Sequence, residues 1–182
     1  MKWLIASDIH GSKYYCEKLF EAYEKEKAER IVLLGDLLYH GPRNDLPKEY
    51  DPKAVIKMLN EHKNDILCVR GNCEAEVDQM VLEFPVMADY ALIPMDANII
   101  FVTHGHLFNE KELPPLKKGD ILLHGHTHIP ACIEHEAYIY MNPGSVSIPK
   151  ENSHHGYMIM DNDHFEWKDF EGNTVMSYDR KK

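Results

Sequence analysis

The chain has 182 residues, 44% hydrophobic and 27% charged, a composition that suits one soluble globular domain with a full core. Its 20 basic and 30 acidic side chains give a formal net charge of -10, which argues against a long nucleic acid as partner while leaving room for a small anion at a bound cation. No apolar run approaches the ~20 residues of a membrane-spanning helix, and Cys16, Cys68, Cys73 and Cys132 form no CxxC pair, so a cytoplasmic chain without disulfides or structural zinc is expected.

In chain order, Trp3 to Ser7 is predicted as a buried strand and Ser12 to Ala28 as a helix with Leu19, Phe20 and Tyr23 on one face. Arg30 to Leu34 forms a second strand, followed by the Gly/Pro/Asn-rich loop 35–51. Pro52 to Lys63 is a helix with Asp51 as its cap. Ile66 to Val69 is a third strand and Glu74 to Leu82 a helix. From Tyr90 onward short apolar runs alternate with turn signals, and "MDAN" (95–98) and "DNDH" (161–164) predict hairpin turns. The first half is therefore βαβαβα and the second mostly β, which predicts a two-sheet α/β sandwich with helices outside. One domain is expected over 1–182, with "YDRKK" (178–182) frayed.

The polar residues at the strand ends carry the chemistry. Asp8 and His10 follow the first strand, Asp36 the second and Asn72 the third. His104 and His106 follow "NIIFV", and His126 and His128 follow "DILLH". Ligands of α/β sheets gather outside the carboxyl ends of strands. Each signal alone has a bland explanation: Asp is common in turns, and Asn tolerates a left-handed position. Five strand ends delivering O and N donors together predict a metal site. Carboxylate, imidazole and amide donors without paired thiolates suit a borderline-to-hard divalent ion.

The ordered series D-x-H, GD, GN, H, GHTH, from Asp8 to His128, resembles the signature of the calcineurin-like metallophosphoesterases. "ASDIHGS", "LLGDLLYHGPRNDLP", "VRGNCEAEVDQM", "FVTHGHLF", "HGHTHIP" and "MNPGSVSIPK" resemble bacterial phosphodiesterases of that family over almost the whole chain. The resemblance implies a four-layer αββα sandwich of two mixed sheets flanked by helices. It implies two divalent ions, one on Asp8, His10, Asp36 and His128, the other on Asp36, Asn72, His104 and His126, with Asp36 bridging. Manganese is the first choice, with zinc, iron and nickel as alternatives. The implied reaction is hydrolysis of a small phosphodiester by in-line attack of a metal-bridging hydroxide. A homodimer or higher homo-oligomer is implied, with no membrane partner.

Asn72, Cys73 and His106 are the candidate catalytic residues beyond simple ligation. Most of the wider family reads GNH where this chain reads GNC, and that histidine is thought to protonate the leaving group. Cys73 either inherits part of this role or is a small packing residue. His106 either contacts the substrate phosphate or backs up His104. Arg43 and Arg70 are the nearest candidate anion binders, each with an ion pair as its alternative. Glu74 is expected as a helix-start carboxylate, His124 as a core or supporting residue, and "NPGSV" (142–146) as a tight turn. His40, His62, His135, His154, His155 and His164 are expected at the surface. A competing assignment is a protein-binding scaffold on the same fold, as in the retromer scaffold subunit, with a vestigial site. A full set of ligand positions argues for the enzyme. A nuclease is disfavoured by the acidic balance.

Overall fold

Alternation of apolar side chains sorts each central strand between two cores. In β1 (Lys2–Ala6), Leu4 and Ala6 face one core and Ile5 the other. In β2 (Arg30–Leu33), Ile31 and Leu33 join Leu4, while Val32 joins Ile5. The computed structural model describes residues 1–180. It forms two mixed sheets packed face to face on the core built around Ile5, Val32, Leu34, Val102, Met158 and Trp167.

The first sheet has the order β11-β10-β9-β1-β2-β3. Its strands β1, β2 and β3 (Ile66–Cys68) are parallel, and β9 (Gly156–Asp161), β10 (His164–Asp169) and β11 (Thr174–Asp179) add antiparallel neighbours. The second has the order β4-β5-β6-β8-β7. There β5 (Asn98–Thr103), β6 (Ile121–Leu123) and β8 (Ile139–Asn142) are parallel, while β4 (Tyr90–Met95) and β7 (Ala131–Glu134) form antiparallel edges. Pro94 is tolerated in β4 because that strand is an edge.

Helices α1 (Lys13–Glu26) and α2 (Pro52–Glu61) cover the outer face of the first sheet through Cys16, Leu19, Tyr23, Val55 and Leu59. Ser12 caps α1, its Oγ accepting from Tyr15 N, and Asp51 caps α2, accepting from Ala54 N. The outer face of the second sheet, with Phe101, Leu122 and Tyr140, is covered by Phe108 and Leu116 of the 104–119 segment. The fourth layer is thus irregular chain rather than helix.

Helix α3 (Glu76–Val81) starts two residues later than expected and buries none of its side chains. The expected fraying at 178–182 does not hold for 178–180. Tyr178 and Asp179 pair with β10, and the buried Arg180 bonds Asp163 Oδ1 through Nε (2.9 Å) and Nη2 (2.8 Å). Lys181 and Lys182 lie outside the described residues.

Candidate metal centre

The parallel strands of both sheets release their chains at one end of the sandwich, and the turns that follow carry the candidate residues. Asp8 and His10 lie beyond β1, Asp36 beyond β2, Asn72 beyond β3, His104 beyond β5, and His126 and His128 beyond β6. The turns pack so closely that some positions exclude any Cβ. One added at Gly71 would lie 2.1 Å from Asp36 Oδ1, and one at Gly125 would lie 2.0 Å from Ser7 Oγ.

The structure brings all seven sequence-predicted donors into two clusters that share Asp36. In the first, His128 Nε2 lies 3.2 Å from Asp8 Oδ1 and 3.3 Å from His10 Nε2, and His10 Nε2 lies 3.7 Å from Asp36 Oδ2. In the second, His104 Nε2 lies 3.5 Å from the same Asp36 oxygen, 3.1 Å from Asn72 Oδ1 and 3.1 Å from His126 Nδ1. Donors held about 2.0–2.2 Å from a common ion lie roughly 3–3.5 Å from one another, and both clusters come close to that spacing, the His10–Asp36 pair being the widest.

The opposite ring nitrogens decide what faces the centre. His10 Nδ1 donates to Tyr39 O (2.7 Å), His104 Nδ1 to Leu34 O (2.7 Å) and His128 Nδ1 to Ile148 O (2.6 Å). With those protons placed, each neutral ring turns a bare Nε2 lone pair inward. The 3.3 Å approach of His10 to His128 is then a contact of two acceptors, not a hydrogen bond. Asp8 Oδ1 is buried among them and accepts no hydrogen bond. Such an arrangement calls for positive charge between its acceptors, either a proton on one ring or a cation, and a divalent metal fits the donor set.

The electrostatics show a strongly negative pocket that takes up positive charge, a proton where no metal is bound. Burial works against the Asp8 charge, yet contact with His10 and His128 holds its carboxyl well below the usual range. Burial also opposes a charged His10 ring, and Asp8 more than offsets it, so the His10 pKa is raised. The field that would draw in a proton would equally hold a metal ion. Burial, reinforced by His104, lowers His126.

Several neighbours were placed differently by the sequence. Glu74 is not a helix-start carboxylate: it turns inward and accepts from Asp36 N (2.8 Å), Leu37 N (2.7 Å) and Gly71 N (2.6 Å), tying the Asp36 turn to the Asn72 turn. Burial, then the Asp36 charge, raises its pKa against those three amides. "NPGSV" is more than a turn. Asn142 Nδ2 reaches Gly125 O (2.9 Å) and Thr127 Oγ1 (3.0 Å), and Ser145 and Ser147 both donate to Asp8 O (3.0 Å each). Arg70 is bound to Asp89 (2.6 Å). His155 is half-buried and stacks on Tyr15, with ring centroids 4.0 Å apart.

A cleft of about 310 Å³ opens over the clusters, lined by His10, Asp36, Asn72, Cys73, Arg43 and Lys150 among others. Cys73 N donates to Asp36 Oδ1 (2.9 Å), and burial followed by the Asp36 charge pushes its thiol upward. His106 is not among the lining residues; its ring lies beside His104, centroids 5.4 Å apart, and burial lowers its pKa to about 4. His124 is buried and stacks on Tyr140 (4.5 Å), in line with a supporting role. Lys150 was not singled out by the sequence: only the fold brings residue 150 beside His128. A larger hollow of about 520 Å³, lined by Trp3, Met95, Met160 and Arg180 among others, includes none of the seven donors.

Known proteins share this sequence pattern and fold. The profile of the calcineurin-like phosphoesterase superfamily domain matches residues 1–164. Phosphodiesterase YfcE of Escherichia coli K12 is 45% identical over 163 residues, covering 90% of this chain and 89% of its own. The solved structure of YfcE, described as a phosphoesterase, superposes with a TM-score of 0.96 at 41% identity over the whole of both chains. Vps29 of Chaetomium thermophilum shares the fold over the whole of both chains, with a TM-score of 0.62 at 16% identity. The chain belongs to the calcineurin-like phosphoesterase superfamily.

Proposed function

We propose that this protein is a phosphodiesterase that hydrolyses small phosphate diesters at a binuclear metal centre. The observation that carries the proposal is the sharing of Asp36 Oδ2 by two clusters of ring nitrogens and side-chain oxygens, 3.7 Å from His10 Nε2 and 3.5 Å from His104 Nε2. Asp8, His10, Asp36 and His128 would hold one ion and Asp36, Asn72, His104 and His126 the other. Asn72 adds a ligand oxygen without adding charge to a centre that already has two carboxylates. Manganese is the first choice on the family likeness, with zinc, iron and nickel as alternatives that the same imidazole-rich set would accept. Two ions so held supply Lewis acidity toward phosphoryl oxygens and bring the pKa of water near neutrality.

The chain's own part is orientation. The Tyr39, Leu34 and Ile148 carbonyls fix three rings, and Cys73 N and His126 N fix the Asp36 and Asp8 carboxylates. His106, packed on His104 outside the cleft, is assigned to backing that ring. Cys73 lines the cleft but is a weaker acid than an imidazolium, so departure relies on the leaving group's own stability. Cys73→Ala should therefore change turnover of nitrophenyl diesters by less than about tenfold, with alkyl diesters poor in both proteins. A large loss in the variant, with a shallow leaving-group slope in the wild type, would make the thiol catalytic.

A single-domain, cytoplasmic homodimer or higher homo-oligomer completes the proposal, supported by the family likeness. No helix among the described residues is long and apolar enough to cross a membrane. A pure scaffold has only the distant fold likeness to Vps29 in its favour and leaves the buried acceptor clusters without purpose. The test is Asp36→Asn: metal content and diester turnover should both fall sharply. Two ions retained with wild-type turnover would reject the shared-carboxylate centre.

A further inference from the structure

Two cations at the cleft have no part in the chemistry proposed above. Arg43 and Lys150 both line it, both are exposed, and neither has an ion-pair partner among the described residues. Other surface cations among the described residues of this acidic chain are unpaired too; these two are set apart by facing the cleft.

Both cations stand on braced backbone. Arg43 lies in a turn closed by Asn44 N donating to Gly41 O (3.4 Å) and Asn44 Nδ2 donating to His40 O (2.8 Å). That turn abuts Cys73, since a Cβ at Gly41 would sit 3.6 Å from its Sγ. Lys150 N donates to the carbonyl of His128 (3.2 Å), and Lys150 O accepts from Ser153 N (3.0 Å) and Ser153 Oγ (2.6 Å). One cation is therefore mounted beside the Asn72–Cys73 turn of the second cluster, the other beside His128 of the first.

A diester has one negative charge, and the metal-holding clusters suffice to receive it. Two further unpaired cations at the mouth, in a protein of net charge -10, select for additional negative charge on the substrate. We propose that Arg43 and Lys150 are specificity determinants that grip a second anionic group, so that the preferred substrates are small phosphodiesters with a further anion on one arm. This rests on the phosphodiesterase reading of the same site.

The test compares two nitrophenyl diesters that differ only in the second arm, ethyl or carboxyethyl, on manganese-loaded wild type, Arg43→Gln, Lys150→Gln and the double variant. Wild type should favour the carboxyethyl ester in kcat/KM by roughly tenfold at low salt, and the preference should shrink as salt screens it. Each single variant should lose part of the preference and the double variant nearly all of it. A second readout needs no turnover: calorimetric binding of the matching phosphinates, which have no scissile ester, should show the same dependence on the carboxylate arm. Equal rates on the two esters in the wild type, or variants that slow both esters equally, would overturn the inference and leave the phosphodiesterase reading standing. If neither ester is turned over, that reading fails instead. The phosphinate pair then decides this one, and equal affinities for the two arms would sink it.

Discussion

Five of the seven donor residues, Asp8, His10, Asp36, His126 and His128, have positive φ between 50° and 64°. Left-handed backbone is uncommon outside glycine, so surrounding bonds must hold it in place. Glu74 supplies three of them around the Asp36 turn. Its Oε2 accepts from Asp36 N and Gly71 N, and its Oε1 from Leu37 N. Glu74→Gln keeps the shape but puts an NH2 group where one of these amides needs an acceptor. The variant should lose about 1–3 kcal/mol of stability, the range for an unsatisfied buried donor, and bind metal more weakly. Urea unfolding and metal titration check the two effects, and a variant with wild-type stability would show that the three amides do not need the carboxylate. Asp8 and His128 were legible in the sequence because ligands must follow strands and come as recognisable residue types. Glu74 was not, because an acidic residue after a turn reads the same whether it points at solvent or back into the fold.

At the scale of elements, the strands were more legible than what ties their ends together. Short apolar runs bounded by turn signals located β1 to β3 and the strands that follow Tyr90. They missed β11, whose Val175 and Tyr178 are partly exposed at the sheet edge and leave only a weak pattern. The end of β8 shows a second gap: the role of Asn142 comes from residues more than a dozen positions away. Asn142 Nδ2 reaches Gly125 O, Thr127 Oγ1 and Tyr140 OH, while Asn142 Oδ1 accepts from Gly144 N. The residue thus splints the turn that carries both His126 and His128. Asn142→Asp is isosteric but cannot donate, and its charge would be buried. It should lower metal affinity roughly 10- to 100-fold, as loss of a ligand's supporting partner typically does. Asn142→Ala should do the same without the added charge. Equilibrium dialysis measures this, and unchanged affinity in both variants would remove the splinting role.

Across the whole molecule, the two sheets converge their strand ends on a crowded knot of buried carboxylate oxygens and ring nitrogens. His10 and His128 meet at 3.3 Å with lone pairs inward, beside an Asp8 oxygen without a hydrogen bond. In the unfolded chain these groups separate into water, so the knot is a native-state burden that a proton relieves in part and a divalent cation relieves more fully. A metal that binds the folded form and not the unfolded one stabilises by an amount set by mass action, about 2.7 kcal/mol at 100 times its dissociation constant. For a chain of this size each kcal/mol moves the melting temperature by about 2–4 °C. For one ion at that excess, protein stripped with chelator should then melt roughly 5–11 °C below the same protein with manganese, and further below where both sites fill. Asp36→Asn removes the oxygen's charge at the point where both clusters meet, so its manganese-induced shift should be less than half that of the wild type. Scanning calorimetry on both proteins, with metal content measured in parallel, makes the comparison. A wild type verified as metal-free that melts at the same temperature with and without manganese would mean that the buried acceptors are satisfied in another way, and the metal centre would have to be abandoned.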